Sequence, residues 1–190
     1  GRDFGMPITK ATALNTSCID KANVKSVPSE TLNYSSYMGA YKSDGLNVYT
    51  RISVPNTPAP KGGYPIVVFT HGYVGEEAAP EYTLGCDPKS MYSENTDAYA
   101  RAGFVVLAPG YRGHATVNGV PADGIEFIRT WDNGSYLSTS FYAIDVLNLV
   151  GGLEPILNVS GLPAPLPLNL NAVNLAGHSQ GGDVALILLA

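Results

Sequence analysis

Cysteine is scarce in this chain, long apolar runs are missing, and positive charge is nowhere clustered. Each absence excludes something. No stretch approaches the roughly 18 apolar residues that a membrane-spanning helix needs, so no membrane span is expected. Lys and Arg number 11 against 16 Asp and Glu, for a formal charge of −5. Without a basic block there is no surface suited to phosphate, which excludes nucleic acid as the default partner. The two cysteines, Cys18 and Cys86, match no metal-ligand spacing, and no metal or organic cofactor is expected. The start, Gly1 to Gly5, has no basic head followed by an apolar run, so no signal peptide is legible; one already removed would leave the same start.

What remains is a globular composition. Apolar residues make up 45% and charged residues 14% of 190 positions, enough to bury the core of one domain. Cys18 and Cys86 are candidates for one long-range disulfide pinning an N-terminal arm to a loop; two unrelated thiols are the alternative. A Ser/Thr/Asn/Gly/Tyr-rich, Lys-poor chain, with sequons such as Asn15-Thr16-Ser17 and Asn133-Gly134-Ser135, suits a secreted or periplasmic protein.

Residues 1–35 are polar and broken by Pro7 and Pro28, and are expected to form an arm laid over a domain of residues 36–190. The runs Tyr37–Tyr41 and Leu46–Val54 flank Ser43-Asp44-Gly45 and predict an antiparallel hairpin. Leu46, Val48, Thr50, Ile52 and Val54 should form its single buried face. Three short apolar runs follow: Ile66–Phe69, Phe104–Ala108 and Val173–Ala176. Such runs fit strands covered on both faces. Helices are expected between them, over Ser90–Ala102 and Ser135–Leu149. In the second, Leu137, Phe141, Ile144 and Leu147 share one face, and Gly151-Gly152 ends it. Alternating strands and helices predict an α/β fold with a doubly wound, mostly parallel sheet. Leu162–Pro167 reads as an ordered connecting loop.

The segment Gly177-His178-Ser179-Gln180-Gly181-Gly182 carries the chemistry. It follows an apolar strand and opens the apolar stretch Val184–Ala190, which reads as a buried helix. A serine at a sharp strand-to-helix turn is held in strained backbone with its hydroxyl projecting from the sheet edge. Gly177 and Gly181 would leave room where side chains meet neighbouring backbone. Ser179 is therefore the expected nucleophile. After the first apolar strand, Thr70-His71-Gly72-Tyr73 occupies the loop that completes an oxyanion hole in this architecture. The backbone N–H groups of Tyr73 and Gln180 are its expected donors.

In order, His71-Gly72-Tyr73, Tyr111-Arg112-Gly113 and Gly177-His178-Ser179-Gln180-Gly181-Gly182 resemble α/β-hydrolases related to the prolyl oligopeptidase and esterase branch. The helical stretch Ala143–Asn148 is similar too, and the resemblance spans about residues 40–190. One departure is Gly110, where relatives often carry an acidic residue. An arm of about 40 residues cannot supply the β-propeller of the large peptidases, which favours a small esterase-like member.

A serine nucleophile needs a histidine base and an acid to orient it. The resemblance implies the order Ser, Asp/Glu, His, yet after Ser179 the sequence offers Asp183 and no histidine. The α/β-hydrolase domain is therefore expected to be incomplete in this chain. A C-terminal segment or second chain is expected to supply the acid and the histidine and to cover the apolar last helix. His71, His178, His114 and Trp131 are candidates for the pocket wall. A solvated loop is the alternative for His114, and core packing for Trp131. Glu76 and Glu77, in the long Val74–Lys89 loop, are candidates to bind a cationic group or simply a solvated acidic loop. Asp123, Glu126, Trp131 and Asp132 are expected in a second loop on the same side. The expected substrate is a small ester or peptide-like molecule. Three readings follow: a carboxylic-ester hydrolase, a serine peptidase of the aminopeptidase or prolyl type, and an inert binding module on the same fold.

Overall fold

The computed structural model describes residues 34–85, 92–117, 119–131, 137–153, 162 and 166–190. The N-terminal arm lies outside them, except that Tyr34 and Ser35 already belong to the first strand. Cys18 and Cys86, with the proposed disulfide, also lie outside the described residues.

Strands β1 (Tyr34–Ser43) and β2 (Leu46–Pro55) form the expected hairpin. Its two-residue turn places Asp44 and Gly45 at φ of 50° and 85°, the left-handed pair that suits the twist of a tight hairpin. The single buried face is not observed: from Val48 onward both faces of β2 are buried. Arg51, on the supposedly wet face, donates to Ser36 Oγ, the Gly85 carbonyl and Thr96 Oγ1 and pairs with Asp97. A polar face whose donors find internal acceptors can be buried without an unpaired charge.

Three further strands, β3 (Tyr64–Thr70), β4 (Val105–Pro109) and, after a two-stranded ribbon of β5 (Thr116–Val117) and β6 (Val120–Pro121), β7 (Leu168–Gly177), complete the main sheet. Its order is β1-β2-β4-β3-β7. β1, β2 and β4 pair antiparallel, whereas β4, β3 and β7 pair parallel. The sheet is thus mixed, with the site on its parallel part.

Helices cover both faces. α1 (Ser93–Arg101) follows β3, and its Ala100 packs with Tyr34, Phe69, Tyr92 and Val106. α2 (Ile125–Trp131) and α3 (Leu137–Gly151) follow the ribbon, and α4 (Gln180–Leu189) ends the described chain. On the second face Ile66, Val68, Val105 and Leu107 meet Tyr142, Val146 and Leu149 of α3 and Val184 of α4. Alternation along β3 and β4 sends successive side chains to opposite layers, which is why these runs are apolar throughout. Each such side chain contributes about 1.5–3 kcal/mol by leaving water. Leu162 and Leu166 of the Pro-rich connection reach the same core, and the Pro167 carbonyl accepts the Tyr64 N–H.

One expectation about packing fails. The buried face of α3 is Tyr142, Ala143, Val146 and Leu149, together with Asp145, whereas Ile144 and Leu147 are exposed. The face turned inward is itself apolar at Tyr142, Ala143, Val146 and Leu149, and it carries Asp145, whose buried charge is matched by Arg112. In α4 only Gly181 and Val184 are buried, while Leu186 and Leu189 are 67% and 74% exposed. β7 has β3 on one side and no strand on the other among the described residues, and its Leu170 is exposed.

Candidate active site

β3 and β7 are neighbours, but their carboxyl ends lead to opposite layers. β3 feeds the loop to α1 on one face, and β7 feeds α4 on the other. The divergence opens a crevice outside the sheet, the place where ligands bind in open α/β sheets. The two motifs singled out in the sequence, His71-Gly72-Tyr73 and Gly177–Gly182, line its two sides.

Ser179 sits at the turn between β7 and α4 with φ 54° and ψ −126°, a conformation costly for a residue with a side chain. It is exposed, and its side chain makes no capping hydrogen bond to its own helix. The flanking glycines explain how so sharp a turn fits. A Cβ on Gly177 would overlap the Gly181 carbonyl and lie 2.7 Å from Thr70 Oγ1. One on Gly181 would overlap the Thr70 carbonyl and lie 2.5 Å from that of His71. Thr70 ties the two strand ends together, donating its hydroxyl to the Gly181 carbonyl at 2.7 Å and accepting the His178 N–H on its own carbonyl at 3.2 Å. Gln180 opens α4, and its side-chain amide reaches Ser138 Oγ on α3.

Across the crevice, Gly72 lies against the elbow. A Cβ there would sit 3.2 Å from Ser179 Cβ and 2.5 Å from the Tyr92 hydroxyl. Tyr73 follows with its side chain 57% exposed. The peptide between His71 and Gly72 is held at both ends: Tyr111 Oη donates to the His71 carbonyl, and the Gly72 N–H donates to Tyr92 Oη at 2.9 Å. The next carbonyl, that of Gly72, lies 2.7 Å from His71 Nδ1.

The histidines separate into two kinds. His71 and His114 are buried, which corrects both as candidates for the pocket wall, and His114 is not a solvated loop residue. Their rings belong to one aromatic stack in which His71 lies on Tyr111 at 4.2 Å, Tyr111 on Tyr142 at 4.5 Å, and His114 stands edge-on to both tyrosines. Burial lowers His71 to about 3, with His114 beside it adding to the effect. Burial likewise lowers His114 to about 4. Burial thus favours the neutral form of both rings, which face backbone carbonyls: Gly72 and Gly110 for His71, and Arg112 for His114. His178 alone is exposed, and its Nδ1 faces Tyr92 Oη at 3.1 Å. None of the three hydrogen-bonds Ser179 Oγ in this structure.

Several residues that build the site have roles that motif reading did not assign. Tyr92 and Tyr111 act from elements distant in sequence; for Tyr111 the neighbouring Arg112-Gly113 was a signal, and for Tyr92 there was none. Arg112 lies over the rings of Phe127 and Phe141, which meet edge to face, and bonds Asp145, which fixes the loop carrying Tyr111 and His114. Gly110, the departure from the resembled pattern, has a packing reason: a Cβ there would lie 2.6 Å from Leu84 Cδ2. The long loop after Tyr73 has taken over that space.

The remaining candidates lie at the periphery. Glu76 is ion-paired with Arg129 of α2 at 2.6 Å, so its charge is already matched by the protein. The second loop is mostly ordered structure, with Glu126 and Trp131 in α2 and Asp123 accepting from the backbone and side chain of Asn47. The Trp131 side chain and Asp132 lie outside the described residues. Among the described residues no group of His, Cys, Asp and Glu is arranged to hold a metal, and no helix is long and apolar enough to cross a membrane.

No family model matches the chain, and no curated protein matches it. Solved structures do. An acetyl xylan esterase from Paenibacillus sp. R4 superposes with a TM-score of 0.57 at 22% identity, over 96% of this chain and 49% of that one. Acetyl xylan esterase 1 from Thermoanaerobacterium sp. JW/SL YS485 gives 0.51 at 18% identity, over 90% and 51%. A dienelactone hydrolase-like promiscuous phosphotriesterase from metagenomic libraries gives 0.52 at 15% identity, over 82% and 54%. The chain spans about half the length of these structures. Sheet order, the parallel β4-β3-β7 core and these superpositions together give it an α/β-hydrolase-type fold, of which it holds a part.

Proposed function

We propose that this chain forms the nucleophile-bearing part of a serine hydrolase and that its reaction is the hydrolysis of carboxylic esters through an acyl-enzyme on Ser179. The observation carrying this reading is the backbone of Ser179, at φ 54° between a parallel strand and a helix, exposed in the crevice beside Gly72. A protein rarely keeps such strain without a use for the side chain it presents.

In the proposed reaction, Ser179 Oγ attacks the ester carbonyl carbon while its proton passes to a histidine base. The carbonyl oxygen becomes an oxyanion, received by the N–H groups of Tyr73 and Gln180. Losing one such donor costs about 3 kcal/mol of barrier. The C–O bond to the alcohol then breaks, the alcohol leaves with the proton from the histidine, and water releases the acid by the same steps in reverse. His71 and His114 are unsuited as the base, because both are buried and committed to carbonyl oxygens. The base and its acid would come from a complementary C-terminal segment or second chain. Support for such a partner comes from the edge of β7, unpaired among the described residues, and from the exposed Leu170, Leu186 and Leu189. Two of the structures that the chain resembles are acetyl xylan esterases, which favours an ester over a peptide substrate.

The test is a comparison of short p-nitrophenyl esters with aminoacyl-p-nitroanilides on the complete protein, alongside fluorophosphonate labelling. Ester turnover, label mapped to Ser179 and loss of both in Ser179→Ala are expected. Turnover of the anilides would replace the esterase reading with a peptidase one. Absence of turnover and label would leave a binding module.

A further inference from the structure

Resting on the Ser179 reading, we infer that Tyr92 is a positioning residue whose hydroxyl fixes the oxyanion loop and the residue before the nucleophile relative to each other. Tyr92 precedes α1 and is buried, its ring packed against Phe69 at 5.6 Å and against His178 at 5.7 Å. Its hydroxyl oxygen accepts the Gly72 N–H at 2.9 Å and lies 3.1 Å from His178 Nδ1. One atom thus joins the two sides of the crevice, the loop after β3 and the elbow after β7.

The consequence lies in the orientation of successive peptide planes. A trans peptide points its C=O and N–H in opposite directions, so holding one end fixes the aim of the other. Tyr92 holds the N–H end of the His71–Gly72 peptide, and Tyr111 holds its carbonyl end. The Gly72 amide is thereby committed inside the protein, and the donor of the proposed reaction is the next amide along the chain, that of Tyr73. His71 Nδ1, on the Gly72 carbonyl, restrains that second plane from behind. Gly72 is the thin layer between Tyr92 and Ser179, since a Cβ there would approach both. Motion of the tyrosine hydroxyl would therefore be felt at the nucleophile directly. The gain is preorganisation: a donor already aimed where charge develops needs no reorientation in the transition state.

The experiment is Tyr92→Phe in the complete protein, with active sites counted by fluorophosphonate titration so that a smaller folded fraction does not enter the rate. Expected are a 10- to 100-fold fall in kcat per titrated site, a KM changed less than two-fold, and Ki for a trifluoromethyl ketone raised by the same factor as kcat falls. That inhibitor forms the tetrahedral oxyanion, and a merely structural role would not move its Ki in step with kcat. Tyr99→Phe, a hydroxyl lost from the helix that Tyr92 precedes and away from the crevice, should change neither. If Tyr92→Phe leaves kcat and Ki per site intact, or raises KM alone, the inference is overturned. If the unaltered protein takes no label on Ser179, the hydrolase reading itself fails.

Discussion

Asp145 and Arg112 form a pair in which one fully buried carboxylate receives the backbone N–H of its partner at 2.8 Å and both Nε and a terminal nitrogen of its guanidinium. Ser43 Oγ donates to the same carboxylate at 2.6 Å, and Asp44 meets the guanidinium from the hairpin turn. Burial opposes charge on Asp145, and these donors are what offset it. The pair ties β1, the loop after β4 and helix α3 together.

Breaking one side of it should be expensive. Asp145→Asn leaves the Arg112 guanidinium buried without its main counter-charge and is expected to destabilise the fold by about 3–5 kcal/mol. Replacing both partners with apolar residues of similar volume should cost less than this single change. Urea denaturation of the three proteins checks the order, and a double variant less stable than Asp145→Asn would contradict it.

Two adjacent glycines of α4 should respond oppositely to alanine. A Cβ at Gly181 overlaps the Thr70 carbonyl, so Gly181→Ala must displace β3 or the elbow and should abolish fluorophosphonate labelling. At Gly182 a Cβ meets nothing within 4 Å. There the helix propensity of alanine should raise stability by up to about 1 kcal/mol and leave labelling intact. Thermal unfolding and labelling of the two variants decide the matter.

The elbow was legible because its chemistry is local: a serine between glycines, after an apolar strand and before a helix, tightly constrains the backbone. The parallel strands were legible for a related reason, since burial on both faces leaves a continuous apolar run. The rotation of α3 was not. Ile144 and Leu147 have the correct spacing for a core face, but so do Tyr142, Val146 and Leu149, and nothing local shows that Asp145 among them meets Arg112, 33 positions away. His114 reads as a wet loop residue until Tyr111 and Tyr142 are seen around it. Tyr92 carried no signal, because its partners Gly72 and His178 are 20 and 86 positions away.

The buried histidines should give the protein an acid sensitivity above the usual carboxylate range. His71 and His114 have folded-state pKa values lowered by burial, to about 3 and about 4, whereas in the unfolded chain each titrates near 6.5. Below that value the unfolded state binds protons that the folded state refuses. The stability present above pH 6.5 is therefore lost as pH falls, at about 1.4 kcal/mol per unit for each histidine. The loss continues toward pH 4 for His114 and pH 3 for His71. Between pH 7.5 and 5.5 the pair should remove about 3 kcal/mol. His114→Asn, which keeps an N–H for the Arg112 carbonyl, should halve the difference between urea curves at the two pH values. A wild-type curve that does not move would mean the rings are not held neutral.

Ser179 allows strain to be separated from chemistry. Its φ of 54° and ψ of −126° are costly for any residue with a Cβ and easy for glycine. Ser179→Ala removes the hydroxyl but keeps the strained backbone, so its stability should stay within about 0.5 kcal/mol of the parent. Ser179→Gly removes both. Relief of strain is worth about 1–3 kcal/mol, and the greater freedom of an unfolded glycine takes back about 0.5–1 kcal/mol. The glycine variant should therefore be the more stable of the two by about 1 kcal/mol, while both lose labelling and turnover. Paired urea titrations measure this difference directly. A glycine variant no more stable than the alanine one would mean that the turn between β7 and α4 holds Ser179 without strain, and any cost of presenting its side chain would then have to lie in the surrounding contacts.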